Sequence, residues 1–200
     1  MTSIGDEFVS TFRIHYANRL WQTLPSRRVF SDLIDPYLRA GFTVVDPTRL
    51  AARLEASRKY TELPFLALRP SWLAAVYLEA GIVLATAAAE HAPFYQRVFG
   101  YRVLCAPRDY PLVRFPIVCM ALSFPDVRDD VEARYPFFRS TESEREALFA
   151  PASRKLVSRA SGEQGGIPSV GHDLPPRDVE SSALNGIAAS EVSLAGSTPP

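Results

Sequence analysis

Glu90 and His91 stand side by side at the end of an apolar run, and both are of types that serve as a general base: a carboxylate, and an imidazole whose ordinary pKa lies close to neutrality. Either could take a proton from an attacking nucleophile. His15, on the mixed face of a strand-like segment, is a third such group. Each alone is more often an ordinary helix-cap or surface residue. Asp46 and Arg49, in the run Asp46-Pro47-Thr48-Arg49, could form an ion pair that fixes a strand end or binds a substrate carboxylate. No Ser-His-Asp spacing and no P-loop is present, and three scattered histidines with two separated cysteines do not make a metal site.

The elements that must position these groups begin with residues 81–101. Ile82 to Thr86, opened by Gly81, is a short apolar, partly β-branched run of the kind buried on both faces of a sheet. Glu90 to Pro93 reads as a helix start, with Pro93 in the first turn, where its missing N–H costs nothing. Phe94 and Val98, and Tyr95 and Phe99, follow one turn apart, and Gly100 is placed to end the helix.

Upstream, residues 7–16 alternate as a strand, so the chain enters a sheet almost at once. Val29 to Arg39 has helical spacing, with Ser31 as a possible N-cap and Pro36 favouring two short turns over one smooth helix. Phe42 to Asp46 is the next strand, with Pro47 at its end. Leu63 to Ala80 outlines a long buried helix with Pro64 in its first turn and a kink at Pro70. Residues 101–105 and 115–122 read as a closing hairpin, and 125–135 and 141–149 as short amphipathic helices, the second opened by a capping box of Thr141 and Glu144. Beyond about residue 152 apolar periodicity ends, so 1–150 is expected to be one domain and 151–200 a disordered tail. Phe12, Val44, Leu68, Trp72, Leu84 and Val118 are expected to share one core.

Composition narrows the classes further. The 22 basic and 22 acidic side chains balance, so net charge does not suggest nucleic acid as a partner. The N-terminus lacks a secretory leader, and the most apolar stretch, Leu73 to Ala89, is broken by Glu79 and Gly81, so no membrane span is expected. Cytoplasm is the default, with Cys105 and Cys119 reduced.

The run EHAPFYQRVFGYRVL resembles the FYxxxxGF-type segment that closes the core of GNAT-fold acyltransferases. With FRIH at 12–15, VFSDLIDPYLRAGFTVVDPTRL at 29–50 and LPFLALRPSWLAA at 63–75 in the same order, it resembles the long-chain N-acyl amino acid synthase (FeeM-type) branch, related to acyl-homoserine-lactone synthases. The likeness covers roughly residues 8–150. It implies an α/β (α+β) fold with a GNAT-like mixed central sheet and helices on both faces. In the family a helical region and another strand precede the strand resembling FRIH, so this chain is expected to lack those elements.

The resemblance further implies an N-acyltransferase moving a medium or long acyl chain from a thioester to an amino acid or similar amine. Such sheets hold the thioester arm where two parallel strands splay apart; here those would be 42–46 and 82–86, with Thr86 at the second. Between Asp46 and Leu66 there is no glycine, so a pyrophosphate-cradling loop for CoA is not expected. The implied co-substrate is therefore acyl-phosphopantetheine on an acyl carrier protein, with acyl-CoA as the other possibility and no permanently bound cofactor. Arg97, Arg102 and Arg58, with Arg108 and Arg114, suit an acidic carrier surface or are simply solvated. Tyr95 matches the position of a tyrosine that protonates the departing thiolate, a plain core aromatic being the alternative. Asp46 and Arg49 look like the acidic residue and arginine that the lactone-synthase relatives keep as E-x-S-R, and Arg13 like their strand arginine, each binding the acceptor or serving a purely structural pair. The other reading of the whole chain is a degenerate, non-catalytic acyl-binding module.

Overall fold

The computed structural model describes residues 2–4, 6–20, 23–111 and 113–150. Six strands form one mixed sheet in the order β1-β2-β3-β4-β6-β5. They are β1 (Thr2–Ile4), β2 (Glu7–Ala17), β3 (Val44–Ala52), β4 (Ile82–Ala88), β5 (Arg102–Val103) and β6 (Ile117–Ser123). The helices are α1 (Arg27–Arg39), α2 (Leu54–Lys59), α3 (Leu63–Tyr77), α4 (Ala92–Phe99) and α5 (Phe124–Arg134), with α6 at 142–150. No helix among the described residues is long and apolar enough to cross a membrane. The expected tail at 151–200 lies outside the described residues. A short strand, β1, pairs antiparallel with β2 ahead of the expected first strand.

Alternation along the strands sorts their side chains between two cores. Ile82 and Leu84 of β4 pack with Val44 and with Phe30, Ile34 and Leu38 of α1. Val83 and Ala85 pack on the other face with Val45, Trp72, Phe94, Phe99 and Phe138. The six residues expected in one core are thus divided, Val44 and Leu84 on the α1 face and Trp72, Val118 and the partly buried Leu68 on the other. Phe12 belongs to neither cluster and is half-buried. The second core is aromatic: Trp72 meets Phe124 at 4.8 Å and Phe138 at 5.5 Å between ring centroids, and Phe99 meets Phe138 at 5.4 Å. Arg69 ties the following segment down, donating to Phe137 C=O at 2.8 Å and Arg139 C=O at 3.0 Å and pairing with Glu144 of α6 at 2.5 Å.

Two helix expectations need correction. Pro36 does not divide α1; the non-helical residue is Phe30 (φ −120°, ψ 29°), whose buried ring is held in the core beneath Tyr110 and Arg108. The residue preceding the helix is Ser26, not Ser31, because α1 starts at Arg27. Pro70 lies inside α3, which ends at Tyr77, and Glu79 beyond it takes a left-handed φ of 49°.

Strand β3 also differs from expectation, and the difference shapes the sheet. It runs from Val44 to Ala52, with Pro47 inside it. Its parallel pairing with β4 lasts two residues, Val44 opposite Ile82 and Val45 opposite Val83. From there β3 continues beside β2 and β4 beside β6, leaving a notch between them. Ile82 N–H donates to Thr43 C=O at 3.1 Å, which fixes the alternation. Residues 43, 45 and 47 turn backbone groups toward β4, and Ile82, Leu84, Thr86 and Ala88 turn theirs toward β3. The next donor due from β3 is residue 47, a proline without an N–H. The ladder stops at the residue that cannot extend it, and the C=O of Leu84 and the backbone groups of Thr86 and Ala88 face the notch.

Asp46, just before that proline, is fully buried on the α1 face. Ser26 donates its N–H to Asp46 Oδ2 at 3.1 Å and its hydroxyl to Oδ1 at 2.8 Å, joining the start of α1 to β3. Burial pushes the carboxyl up to about 6 against the opposing effect of both Ser26 hydrogen bonds. The folded state therefore favours the protonated acid, a contribution that is complete below the ordinary 3.8 and lost as pH rises through about 6. Relative to Asp46→Asn, which cannot ionise, the native chain should lose on the order of 2–3 kcal/mol between pH 4 and pH 7 in urea unfolding. A difference that stays constant with pH would contradict the assignment. In the aromatic core, Phe138→Ala should cost about 3–5 kcal/mol by the same measurement, and Phe137→Ala, on an exposed ring, about 1 kcal/mol or less.

Candidate active site

The notch is bounded at one end by the segment that leaves β4. After Ala88 the chain makes one 3-10 turn, Ala89–His91, and enters α4, which ends at Gly100 in a left-handed conformation (φ 79°). His91 is only 6% exposed, and its Nε2 has no hydrogen-bond partner among the described residues. Glu90 Oε1, the nearest carboxylate oxygen, is 3.9 Å away and its side chain is largely in solvent. Burial lowers the His91 pKa, with Glu90 opposing, so the imidazole is neutral at pH 7 and Nε2 can accept a proton. Of the two adjacent base candidates, the histidine is the one withdrawn from water.

Tyr95 lies one turn into α4, half-buried, edge-on to Phe94 at 5.4 Å and to Tyr101 at 5.5 Å. Burial pushes its hydroxyl up to about 12, so it stays protonated and can donate a hydrogen bond. Tyr101 is buried beside it and shifted further in the same direction.

The α1 face holds the remaining candidates. Thr86 shares that face with Leu84 and is half-buried. His15 lies opposite Asp46 and Arg13 opposite Thr48 in the β2–β3 register, so the side chains of Arg13, His15, Asp46 and Thr48 share one side of the sheet. The register then shifts, with Thr11 opposite Ala51, and Arg49 falls in the bulge with a left-handed φ of 55°. That conformation is uncommon for a side chain of this size and turns Arg49 out of the ladder. The expected ion pair between Asp46 and Arg49 does not form: both carboxylate oxygens belong to Ser26, and Arg49 is exposed. Burial first, then Arg13 and Arg49, lower the His15 pKa, so His15 too is neutral near pH 7.

Four contributors carry no signal that stands out in the sequence. Ser26 precedes the helical periodicity, and the mid-sequence Ser31 competes with it for the capping role. Pro47 reads as a strand end. Arg28 and Tyr110 sit in segments without periodicity. Tyr110, in the 104–116 loop, stacks on Phe30 at 6.2 Å, and its hydroxyl is shifted up by burial and by Asp46 while a Ser26 hydrogen bond, Arg28 and Arg49 oppose. Arg108 fastens that loop: its two terminal nitrogens each meet an Asp32 carboxylate oxygen at 2.7 Å, one also donates to Val29 C=O at 3.1 Å, and its guanidinium lies over Phe30 at 5.4 Å. Arg108 is therefore a structural clamp.

The arginines expected to meet an acidic carrier do not form one patch. Arg97 in the last turn of α4 and Arg102 on β5 are close in sequence and exposed. Arg58 is on α2, whose Ala56 packs with Val9 of β2, on the far side of the sheet from β5. It was expected beside the others, but the crossover from β3 to β4 carries α2 toward the opposite edge.

The strands β3 and β4 thus part after two paired residues, β4 leads into the turn and helix that carry the neutral, buried His91 and the protonated Tyr95, and Arg13 and Arg49 lie at the β2–β3 bulge. No curated protein matches the chain in sequence. Among solved structures, it is similar to FeeM, an N-acyl amino acid synthase from uncultured soil microbes, with a TM-score of 0.52 and 18% sequence identity. That match covers 62% of this chain and 66% of that one, just under two thirds of its length. The family model of the N-acyl amino acid synthase FeeM matches residues 1–123, and with well over half of its length so matched, the chain belongs to the FeeM N-acyl amino acid synthase family.

Proposed function

We propose that this protein transfers an acyl chain from a phosphopantetheine thioester to the amino group of an amino acid. The observation that carries this reading is the notch ended by Pro47, with the backbone groups of Thr86 and Ala88 turned into it and the unpartnered Nε2 of His91 on the turn that follows. The thioester arm lies in the notch, and the N–H groups there stabilise the carbonyl oxygen as it gains charge. His91 Nε2 accepts the proton of the attacking amine. The C–N bond forms, the C–S bond breaks, and the thiolate leaves beside the Tyr95 hydroxyl. A hydroxyl with a pKa of about 12 is too weak an acid to surrender its proton outright, so Tyr95 donates a hydrogen bond and the proton held by His91 completes the thiol.

The absence of glycine between Asp46 and Leu66 favours an acyl carrier protein over CoA as donor, because the pyrophosphate has no glycine-rich backbone nest in that loop. Arg97 and Arg102 are the carrier-facing candidates, and Arg13 and Arg49 the groups for the acceptor carboxylate. Glu90, exposed beside His91, can pass to solvent the proton that the acceptor's ammonium loses before its amine attacks. We assign the activity to residues 1–150 and to the cytoplasm, where carrier thioesters are made.

The tight edge-on packing of Tyr95 favours one second reading, in which it is a core aromatic of an acyl-binding module without turnover. Purified protein mixed with a long-chain acyl carrier thioester and pooled amino acids should release thiol and yield N-acyl amino acid by mass spectrometry. His91→Asn should lower kcat by about 100-fold or more, and Tyr95→Phe by about 10–100-fold. A native chain that binds the carrier but releases no thiol would establish the second reading instead.

A further inference from the structure

The cations around Asp46 outnumber what one carboxylate can use. Arg13, with the neutral His15 beside it, projects from β2 on the α1 side, the two lying directly opposite Thr48 and Asp46. Arg49 leaves the bulge next to them. Arg28 is in the first turn of α1, two residues from the Ser26 whose side chain is bonded to Asp46. Arg13 and Arg49 thus flank the β2–β3 bulge, and the Ser26–Asp46 hydrogen bonds bring the first turn of α1, with Arg28, to the same strand, where Arg28 and Arg49 both oppose the upward shift of the Tyr110 hydroxyl.

Three acids of α1 and β3 near this rim are engaged elsewhere. Asp35 pairs with Arg27 at 2.7 Å, Asp32 with Arg108 at 2.7 Å, and both Asp46 oxygens accept from Ser26. Arg13, Arg28 and Arg49 are all exposed, and none has a carboxylate partner among the described residues. A carboxylate is satisfied by one bidentate guanidinium. The α-carboxylate of an ordinary amino acid would leave two of the three arginines without a counter-charge, at the cost of like-charge repulsion across the rim.

We infer that the acceptor amine carries a second anionic group, as in a dicarboxylic amino acid, with its two acid groups shared among Arg13, Arg28 and Arg49 and its amine turned toward the notch. The chemistry rests on the acyl-transfer reading above, while the binding site does not. Arg28 is the residue that sets this preference, because it comes from α1, whereas Arg13 and Arg49 come from the sheet. Tyr110, held by its stacking on Phe30 and by the Arg108 clamp, closes the rim and offers a neutral donor to the second acid group.

Calorimetric titration of the full chain at low salt with L-glutamate, L-glutamine and L-leucine tests this. Glutamate should bind at least tenfold more tightly than glutamine or leucine, and Arg28→Gln should remove that preference while Arg28→Lys retains part of it. Equal affinities for glutamate and glutamine, or no glutamate binding at millimolar concentration, would overturn the inference. N-acylation of neutral amino acids in preference to glutamate would also overturn it and leave acyl transfer standing. Selective glutamate binding with no N-acyl product from any acceptor would support the site and overturn acyl transfer.

Discussion

A single missing N–H organises this molecule. The parallel pairing of β3 with β4 ends after Val45, and at position 47, where β3 is next due to donate to β4, stands a proline without an N–H. Two paired residues hold the strands together at Val44 and Val45, and beyond them each strand follows its other neighbour, β2 or β6. A sheet that would otherwise close its backbone groups completely is left with a row of them facing an opening. Because β4 keeps an unbroken register with β6 from Ile82 to Ala88, the opening has one straight and firmly held wall. The other wall turns at Arg49, where the bulge redirects β3.

The two cores hold these walls apart for different reasons. On one face a dense aromatic cluster packs α3, α4 and α5 together and reaches to Phe138, beyond the end of the family match at residue 123. That cluster fixes α4, and with it Tyr95 and the turn bearing His91. On the other face the link between α1 and the sheet is polar: Ser26 to Asp46, with Arg108 to Asp32 fastening the neighbouring loop. Such a carboxylate is costly to bury and is tolerated because both of its oxygens are satisfied. It stations Ser26, Arg28 and Tyr110 at the rim, which apolar packing alone would not specify.

Much of this was legible before any coordinates. Runs such as Ile82 to Thr86 and Ile117 to Leu122 announced central strands because both faces are apolar, and the order of motifs identified the family. The divergence of the two parallel strands was expected from resemblance, but its cause was not, since Pro47 reads locally as a terminator and only the register shows it inside a longer strand. His91 was visible as a residue type, yet its burial and lack of a partner depend on packing between segments distant in sequence. Asp46 and Arg49 suggested an ion pair by spacing alone, and the alternation of the strand with the bulge after it sends them in different directions. Ser26, Arg28 and Tyr110 join the site through contacts 20 or more residues apart, for which a local pattern carries no signal.

The account stands on the notch receiving the donor arm, and one measurement addresses that directly: amide NMR shifts on adding a non-hydrolysable acyl-pantetheine thioether. The amides of Thr86 and Ala88 should shift and become protected from exchange, because the arm supplies the hydrogen-bond partners that β3 does not. Unperturbed Thr86 and Ala88 amides, with shifts confined to another surface at saturating thioether, would contradict it.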